Sequence, residues 1–357
     1  MYNYEKRWQK IQDDLKKEKS DVFISVQEGN NRYLSCAHIP SFPLVTHVVI
    51  PRKGSPWAIA SSLEQYRAAE ECAVKNIKIF TPHPYIKRDG KTGLSILKRE
   101  LKKMNAKKII SDSKIGGLRT KVKNVVEKHR IVKDDSELKS MRKAAQLTDK
   151  AAQVLQEELV EAGKTERQVA VELDSVMRGF KEVQNISFET IVAAGTHAAF
   201  SHHDNTNYKL KSGDLVICDF GIYVDGYCSD MTRTFAVDSV TEDLIEIYDI
   251  VYEAQQKAIK SVKAGQPFKV VDQTARGVIK EYGQAKNFVH SLGHGLGLEV
   301  HEAPTINNDS KTKMEPGIPF TIEPGVYVPG VGGVRIEDDV LVSSKGAELI
   351  TKYKRKL

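Results

Sequence analysis

The 357-residue chain is poor in cysteine and has no long apolar run, and each shortage excludes a class of protein. Its four cysteines lack the paired spacing of a zinc site and have no secretory context: Cys36, Cys72, Cys218 and Cys228. They are therefore predicted to be reduced, buried thiols of a cytoplasmic protein. No stretch of about 18 apolar residues is present, and the chain begins with a charged helical pattern rather than an apolar signal region. We expect no membrane segment.

The excess of positive charge is modest. Lysine and arginine total 54 against 47 acidic residues, which gives a formal net charge of +7. The lysines are scattered over helix-like stretches, and the basic run KYKRKL at the C-terminus is short. Such a distribution is typical of a solvated surface, so we expect no nucleic-acid partner. With 40% hydrophobic and 28% charged residues the composition is that of a globular protein, and the length suits two domains.

The hydrophobic pattern predicts an N-terminal α/β domain followed by a helix-rich segment. Helix spacing over residues 3–19 precedes a series of strand-like runs, at residues 21–26, 46–50, 57–60, 77–80 and 108–111. This alternation predicts a mixed sheet with helices. Further helices are predicted over residues 136–162, 165–180, 241–263 and 267–283. Gly163 is a natural stop for the first of these, and Thr165 opens a capping-box pattern at the start of the second.

Two aspartates share a predicted β-hairpin. Residues 215–220 and 227–235 have strand composition, and Asp225-Gly226 between them supplies turn chemistry. A turn centred on this pair would make Asp219 and Asp230 diagonal neighbours, and a turn centred one residue earlier would place them directly opposite. Both registers put the carboxylates on the same face, because side chains alternate faces along a strand. Carboxylates this close repel each other unless a cation lies between them.

A second cluster has the sequence HSLGHGLGLEVHEAP over residues 290–304. Three histidines with alternating glycines are hard to explain as packing, since glycine allows the backbone to approach a ligand or another strand closely. Downstream, Glu323 and Glu337 each follow an apolar, strand-like run. Because a buried, unpaired carboxylate costs several kcal/mol, each of these glutamates needs a cation or a metal.

Five metal-seeking side chains thus follow one another in the C-terminal half, namely Asp219, Asp230, His294, Glu323 and Glu337. One histidine and four carboxylates are too many ligands for one small ion. They suit two divalent ions that share carboxylates between them. The residues therefore predict a two-metal hydrolase.

At this point the motifs resemble a known family. The fragments CDFG…SDMTRTF, HSLGHGLGLEVHEAP, TIEPGVY and GVRIEDDV, over about residues 185–342, are similar to the metal-dependent pita-bread peptidases. Within that group they resemble aminopeptidase P and prolidase, the Xaa-Pro peptidases. The resemblance implies an α/β creatinase-like N-terminal domain over residues 1–128. It also implies an α+β pita-bread catalytic domain over residues 129–357.

The resemblance assigns a role to each ligand. Asp219 would bind one ion, Asp230 and Glu337 would bridge the two ions, and His294 and Glu323 would complete the second site. The oxygen-rich set favours Mn(II) or Co(II) over a thiolate-type zinc site, with Zn(II) as the alternative. We expect manganese.

Residues for substrate handling also follow from the resemblance. His290 and His301 match histidines that surround the metals, and a third should come from the loop before the Asp219 strand. The loop has a doublet, from which alignment selects His202, with His203 as the alternative. Tyr327 and Arg335 match residues that line the site, although Arg335 could equally balance charge beside Glu337.

The activity implied is hydrolysis of the N-terminal Xaa-Pro bond of proline-containing peptides. A hydroxide bridging the two ions would attack the scissile carbonyl, His202 or His301 would stabilise the oxyanion, and Glu323 would carry the proton to the leaving nitrogen. A homodimer is implied as well. The alternatives are a metal-free creatinase-like hydrolase and a non-enzymatic binding module. Both should have lost ligands, and all five are present here.

The choice between aminopeptidase and strict dipeptidase stays open at this level. Some prolidases carry an arginine just after the H-E-x-P segment, where it fixes the free carboxylate of a dipeptide. This chain has Thr305 at that place, which weakens the strict dipeptidase hypothesis. The chain length, in contrast, resembles the shorter prolidases. The balance favours an Xaa-Pro peptidase that also accepts longer peptides.

Overall fold

The structure is a computed structural model that describes residues 2–40 and 44–357. The chain divides into two compact units, Met1–Arg130 and Ile131–Leu357. Within the described residues, no helix combines the length and the apolar character needed to cross a bilayer. All four cysteines are buried free thiols, as the sequence predicts.

The first unit alternates helices and strands. Its helices are α1 (Tyr4–Lys17), α2 (Glu28–Ser35), α3 (Gln65–Glu71) and α4 (Gly93–Lys103), and α5 (Glu127–Ile131) begins at its end. Its strands are β1 (Val22–Ser25), β2 (His47–Pro51), β3 (Trp57–Ser61), β4 (Asn76–Phe80), β5 (Ile109–Ser111) and β6 (Lys121–Val122). Each of the predicted runs forms a strand within one or two residues of its expected bounds.

One mixed sheet organises this unit, in the order β4-β3-β2-β1-β5-β6. The pairs β1–β2 and β2–β3 are antiparallel, and the pairs β3–β4, β1–β5 and β5–β6 are parallel. Helix α4 packs Ile96 and Leu97 into the core beneath Val22, Ile24 and Val49 of the sheet. The prediction of an α/β unit with a mixed sheet is confirmed.

The second unit combines four α-helices with strands β7 to β19. The helices are α6 (Asp135–Val154), α7 (Glu166–Gly179), α8 (Glu242–Ser261) and α9 (Lys269–Glu281). The first strands are β7 (Asn185–Ile186), β8 (Ile191–Ala194), β9 (Leu215–Phe220), β10 (Ile222–Val224), β11 (Tyr227–Cys228) and β12 (Met231–Ala236). The later strands are β13 (Gly293–Gly295), β14 (Glu302–Ile306), β15 (Pro319–Ile322), β16 (Gly325–Val328), β17 (Gly332–Arg335), β18 (Asp338–Ser343) and β19 (Gly346–Leu349).

Antiparallel sheets carry two helix pairs in this unit. One core cluster joins α6 and α7 to the sheet β12-β9-β8, through residues such as Leu173 and Val216. A second cluster joins α8 and α9 to the sheet β14-β13-β15-β18-β19, through residues such as Val251 and Phe320. Segregated helices on antiparallel sheets are the α+β architecture that the sequence predicts. The chemistry-bearing residues lie on strands of both sheets or directly beside the ends of strands.

The long helix of this unit ends earlier than expected. Helix α6 stops at Val154 and continues as a π turn, Leu155–Leu159, in which the Val160 N–H donates to the Leu155 carbonyl at 3.0 Å. Gly163 has a φ of 95°, a conformation that other residues rarely adopt. It does not cap the helix; its N–H donates to the Leu210 carbonyl at 2.9 Å. The capping box at the start of α7 forms as predicted, between Thr165 and Gln168.

Candidate metal centre

The hairpin that carries Asp219 and Asp230 folds about Asp225-Gly226. Strands β10 and β11 pair Val224 with Tyr227, and both central residues have positive φ, 48° and 79°. Two successive positive φ values match the twist of the flanking strands. In β9 and β12 Asp219 pairs with Thr232, so Asp230 is its diagonal neighbour rather than its direct partner. The first of the two predicted registers is therefore the one adopted.

Glycines bring the histidine segment against the neighbouring strands. A Cβ on Gly293 would collide with the carbonyl oxygen of Thr321, and one on Gly295 with that of Ala303. Only glycine permits this approach on both sides of His294. The alternating glycines of the motif thus allow β13 to insert between β14 and β15.

The predicted ligands converge from both sheets. The His294 Nε2 lies 3.3 Å from an oxygen of Glu323 and 3.6 Å from an oxygen of Asp230. One ligand atom each from Asp230, His294 and Glu337 lie within 4.8 Å of one another. Asp219 accepts a hydrogen bond from Arg335 Nη2 at 2.6 Å, and the same guanidinium contacts the Thr232 hydroxyl, which donates to Glu337. All five side chains border one cavity of about 1220 Å³.

Burial and mutual repulsion control the charge of the site. Burial first, and then neighbouring carboxylates, hold the pKa values of Asp230 and Glu337 well above their usual range. Burial also raises the pKa of Glu323 to about 8. The pKa of His294 falls to about 4 because burial disfavours the imidazolium, which leaves a neutral ring as a ligand. The site therefore has more carboxylates than the protein's own cations can neutralise.

These residues fit a divalent cation. The buried Oδ1 of Asp219 has no hydrogen-bond partner among residues 2–40 and 44–357, although a buried carboxylate oxygen normally has one. Four carboxylates and one neutral imidazole are the donors that Mn(II), Co(II) and related ions accept. A bound cation would satisfy the free oxygen and remove the repulsion that raises the carboxylate pKa values.

Arg335 connects the ligands to the surrounding residues. It is 3% exposed, and besides Asp219 its guanidinium donates to the Thr232 hydroxyl at 3.0 Å and the Ser201 carbonyl at 3.1 Å. Its Nη1 also donates to the Tyr327 hydroxyl at 3.0 Å. These contacts fit the charge-balancing role predicted as one alternative. The arginine positions a ligand and also the loop on which Ser201 lies.

Most of the residues predicted to contact the substrate border the cavity, but Tyr327 does not. His202, His290, His301 and Arg335 border it, as does Thr305. Tyr327 is 4% exposed and lies outside the cavity lining, with its hydroxyl 2.9 Å from His290 Nε2. Tyr327 is therefore placed to orient His290 and Arg335 rather than to touch a ligand. Burial lowers the pKa of His290 to about 4, so this ring is neutral as well.

The two members of the histidine doublet differ in their contacts. The His203 Nε2 lies 2.9 Å from a carboxylate oxygen of Glu166, and its side chain is 9% exposed. The His202 ring is exposed and has no hydrogen-bond partner among residues 2–40 and 44–357. His202 is thus the member of the doublet that is available to a ligand, which supports the choice made from the sequence.

Sequence reasoning did not identify Glu166 or Asp339 as functional residues. Glu166 is fully buried, and one ligand atom each from Glu166 and the partly buried His197 and His203 lie within 4.8 Å of one another. Its place in the capping-box pattern of residues 165–168 indicated only a helix start, so no local signal marked it. Asp339 accepts a hydrogen bond from the Asp230 N–H at 3.1 Å. The run of three acidic residues at 337–339 was the available signal that several carboxylates meet here.

Comparisons with known proteins agree with this site. The sequence pattern of metallopeptidase family M24 matches residues 139–344, more than half of the chain. An Xaa-Pro dipeptidase of Pyrococcus furiosus is 43% identical over 237 residues, which cover 66% of this chain and 68% of the relative.

Solved structures extend the likeness over both units. An Xaa-Pro dipeptidase from Bacillus anthracis superposes with a TM-score of 0.89 at 33% identity, and covers 99% of each chain. An X-Pro aminopeptidase from Thermotoga maritima gives a TM-score of 0.80 at 28% identity, over 95% of this chain and 97% of that one. The predicted pita-bread fold class is confirmed. The chain belongs to metallopeptidase family M24 and is a metal-dependent hydrolase.

Proposed function

We propose that this protein removes the first residue from peptides whose second residue is proline, with two manganese ions as cofactor. The observation that carries the proposal is the convergence of Asp219, Asp230, His294, Glu323 and Glu337 on one cavity. The names of the relatives support the substrate class, since they include an Xaa-Pro dipeptidase and an X-Pro aminopeptidase. Co(II) and Zn(II) are the alternative metals.

The metal ligands define where the reaction would take place. When bound, divalent ions would polarise the scissile carbonyl and lower the pKa of water so that it can act as the nucleophile. Asp219 would bind one ion, Asp230 and Glu337 would be shared, and His294 and Glu323 would complete the second site. The nitrogen of a proline in a peptide carries no N–H, so a protease that relies on a hydrogen bond from this N–H would cleave the bond poorly. A site that activates water with metal ions does not rely on it.

The surrounding histidines would act on the substrate. His202 and His301 border the cavity and would donate hydrogen bonds to the oxyanion that develops on the scissile carbonyl. Their contribution would be larger in the transition state than in the bound substrate, which is the condition for acceleration. Glu323 would hold the proton released by water and pass it to the leaving nitrogen. His290 would border the bound peptide, with its ring oriented by Tyr327.

We further propose that peptides longer than two residues are accepted. Thr305 is exposed on the cavity lining and cannot bind a carboxylate as an arginine would. The cavity of about 1220 Å³ is also larger than the space that a dipeptide fills. A strict Xaa-Pro dipeptidase is the second candidate, favoured by the 43% identity to a protein of that name.

The deciding experiment compares Ala-Pro with Ala-Pro-Ala, each with manganese and with a chelator. Manganese-dependent cleavage of the tripeptide, alone or with the dipeptide, would support the proposal. Cleavage of Ala-Pro alone would make the protein a dipeptidase and require a carboxylate-binding group other than Thr305. Ala-Ala and Ala-Ala-Ala are the matched substrates without proline. If neither proline peptide is cut with manganese, nor in repeat assays with cobalt and zinc, the Xaa-Pro assignment fails.

Three further expectations belong to this proposal. We propose that residues 1–128 and 129–357 are separate domains, that the protein works in the cytoplasm, and that it forms a homodimer. Light scattering on the purified protein would measure the mass of the assembly. A mass of 39.9 kDa, that of one chain, would contradict the dimer.

A further inference from the structure

Glu166 is a fully buried carboxylate in the first turn of α7, outside the set of five ligands. Its Oε1 accepts hydrogen bonds from the Ala194 N–H and from His197 Nδ1, both at 2.9 Å. Its Oε2 accepts from the Thr206 N–H at 3.0 Å and from the Thr206 hydroxyl at 2.6 Å. His203 Nε2 lies 2.9 Å from the same oxygen. Five donors therefore surround one carboxylate.

The geometry requires an ionised Glu166. Burial raises the pKa of this carboxyl, but the hydrogen bonds from Thr206, Ala194 and the two histidines outweigh burial and lower it below its usual value. With a carboxylate as the acceptor, His197 and His203 each present an N–H toward it. Hydrogen bonds to an ionised acceptor are about twice as strong as those between neutral groups. The cluster is a strong tie between α7 and the segment that supplies the donors.

All five donors belong to residues 194–206, the first part of the connection from β8 to β9, the strand that carries Asp219. The donors lie at both ends of this segment, and His203 comes immediately after His202. One carboxylate thus ties both ends of the segment 194–206, and the residue next to His202, to the start of α7. A loop of this length would otherwise be among the more mobile parts of a domain.

Arg335 holds the other side of His202. Its Nη1 donates to the carbonyl of Ser201 at 3.1 Å, while its Nη2 donates to the ligand Asp219 at 2.6 Å. His202 therefore lies between two anchored neighbours, Ser201 on Arg335 and His203 on Glu166. Its own ring has no hydrogen-bond partner among the residues that the structure describes, so its neighbours determine where it points.

We propose that Glu166 is a positioning residue, which sets the place of His202 in the cavity by anchoring the loop that carries it. Insofar as it concerns catalysis, the inference rests on the proposed Xaa-Pro peptidase function. Glu166 itself touches neither the cavity's ligands nor the substrate. Its effect is transmitted through His203 and the backbone at Ala194 and Thr206.

A third metal site is the competing interpretation of the same cluster. Two histidines and a carboxylate could hold an ion, because their ligand atoms lie within 4.8 Å of one another. However, three N–H and O–H donors from Ala194 and Thr206 already point at the carboxylate and would face the ion. Such donors stabilise the Glu166 carboxylate without a metal ion. We therefore expect zinc and manganese to bind only at the five predicted ligands.

The direct test replaces Glu166 by glutamine, which keeps the shape but presents an amide to the donors. We expect kcat on the preferred proline peptide to fall about 10–100-fold, as when an outer group that orients a functional side chain is removed. KM should change less than about threefold, because an oxyanion donor acts mainly in the transition state. The shorter carboxylate of Glu166→Asp should recover part of the activity. Equal losses from Glu166→Gln and Glu166→Asp would argue against a role for the charge.

A double-mutant cycle separates positioning from a general structural effect. We compare Glu166→Gln, His202→Asn and the double variant. If Glu166 acts through His202, the second substitution should add less than about twofold once His202 is gone. Full multiplication of the two losses would overturn the proposal. Metal content, measured on the same samples, should equal that of the wild type; loss of an ion in Glu166→Gln would instead support a third metal site.

A second readout does not depend on any substrate. The ring signals of ¹³C-labelled histidines distinguish the 10 histidines, and His202→Asn identifies the signal of His202. In folded Glu166→Gln we expect this signal to shift or broaden. An unchanged His202 signal would overturn the proposal. Should wild-type protein cleave no proline peptide, only the proposed function fails, and this measurement still decides the role of Glu166.

Asp112 provides the matched control. It is 2% exposed and accepts hydrogen bonds from the Val26 N–H at 2.9 Å, the Gln27 N–H at 3.2 Å and the Ser25 hydroxyl at 2.9 Å. Asp112→Asn should destabilise the protein comparably and leave the His202 signal and kcat unchanged. If Glu166→Gln does not fold, Thr206→Val, which removes one donor and keeps the charge, is measured in its place. The same shift of the His202 signal is expected, and its absence would overturn the proposal.

Discussion

Glu337 and Asp338 are adjacent in the chain and equally buried, yet they have opposite electrostatic surroundings. Asp338 lies between Arg233 and Arg355, with N–O distances of 2.8 Å and 2.5 Å, and also accepts from the Thr351 hydroxyl. Burial raises the pKa of Asp338, but the two arginines outweigh it and bring the pKa below the usual range. Asp338 is therefore an ionised, fully paired group.

Glu337 points to the other face and lacks such partners. Burial raises its pKa, and Glu323 and Asp219 raise it further, while Arg335 and the Thr232 hydroxyl oppose this only in part. The Thr232 hydroxyl donates to it at 2.6 Å. Asp338 is the first residue of β18 and Glu337 directly precedes it. Because successive residues of an extended chain face opposite ways, one residue step moves from a cation-rich environment to a carboxylate-rich one.

The contrast separates a structural carboxylate from a ligand. Where the chain supplies its own cations, as at Asp338, a buried charge is paired and contributes to a specific fold. Where it supplies one arginine for several carboxylates, as around Glu337, the missing charge has to come from outside the chain. The comparison therefore predicts different consequences for substitutions on the two faces.

The largest effect is expected on turnover from the ligand face. Asp230→Ala or Glu337→Ala should reduce kcat at least about 10³-fold, since several kcal/mol of transition-state stabilisation depend on the bound ions and each 1.4 kcal/mol is a factor of ten. The fold should be retained, because one of several repelling carboxylates is removed. Steady-state assays with manganese, beside circular dichroism, would measure both. Substantial manganese-dependent activity in either variant would contradict the assignment of Asp230 and Glu337 as metal ligands.

The opposite face should respond in stability. Arg233→Met leaves Asp338 with one arginine in a buried environment, and should lower the free energy of unfolding by about 3–5 kcal/mol. The exposed pair of Arg142 and Glu348, at 2.8 Å, is the control, for which Arg142→Met should cost less than about 1 kcal/mol. Urea denaturation of the three proteins would give the values. Equal losses for the two arginine variants would mean that burial does not distinguish these ion pairs.

Removal of the metal should lower the free energy of unfolding by less than the substitution Arg233→Met does. At a free manganese concentration of 100 times the dissociation constant, binding to the folded state alone adds about 2.7 kcal/mol. Chelation should therefore lower the Tm of the wild-type protein, and manganese should restore it. Glu337→Gln should show a reduced response, while Asp338 keeps its arginines in all cases. A Tm that is independent of manganese in the wild type would contradict the charge argument for the ligand face.

Local chemistry in the sequence was sufficient to predict the hairpin but not its register. Asp225-Gly226 was recognised as turn chemistry, and the two possible registers differed by a single residue. The choice depends on positive φ at both residues, 48° and 79°, which aspartate and glycine tolerate and Val224 would not. The strands of the first unit were likewise predictable, because the spacing of apolar residues and the content of β-branched residues are local properties of the sequence.

Long-range contacts account for what the sequence did not show. Glu166 meets donors 28 to 40 residues farther along the chain, and its own neighbourhood suggested only a helix start. The early end of α6 likewise depends on the turn at Leu155–Leu159, for which the sequence offered no breaker. The roles of Asp338 and Asp339 could be separated only once the strand was placed against Arg233 and Asp230.

The smallest predicted effect concerns His47, a largely buried histidine of the first unit. Burial lowers the pKa of His47 below 6.5, the value of the free side chain, and Asp112 opposes this only in part. The folded state therefore binds fewer protons than the unfolded state, so stability is complete above pH 6.5 and falls as the pH drops toward the folded-state value. Like Glu337 without an ion, His47 avoids an unpaired buried charge by becoming neutral.

Fluorescence can follow this unit selectively, since both tryptophans, Trp8 and Trp57, lie in it. Urea denaturation at pH 7.5 and pH 5.5 should give a lower free energy of unfolding at the lower pH. His47→Gln should reduce this difference, although His129, whose pKa burial also lowers, will keep part of it. An unchanged difference in His47→Gln would mean that His47 is charged in the folded protein. The contrast between paired and unpaired buried groups would then hold only for the carboxylates of the second unit.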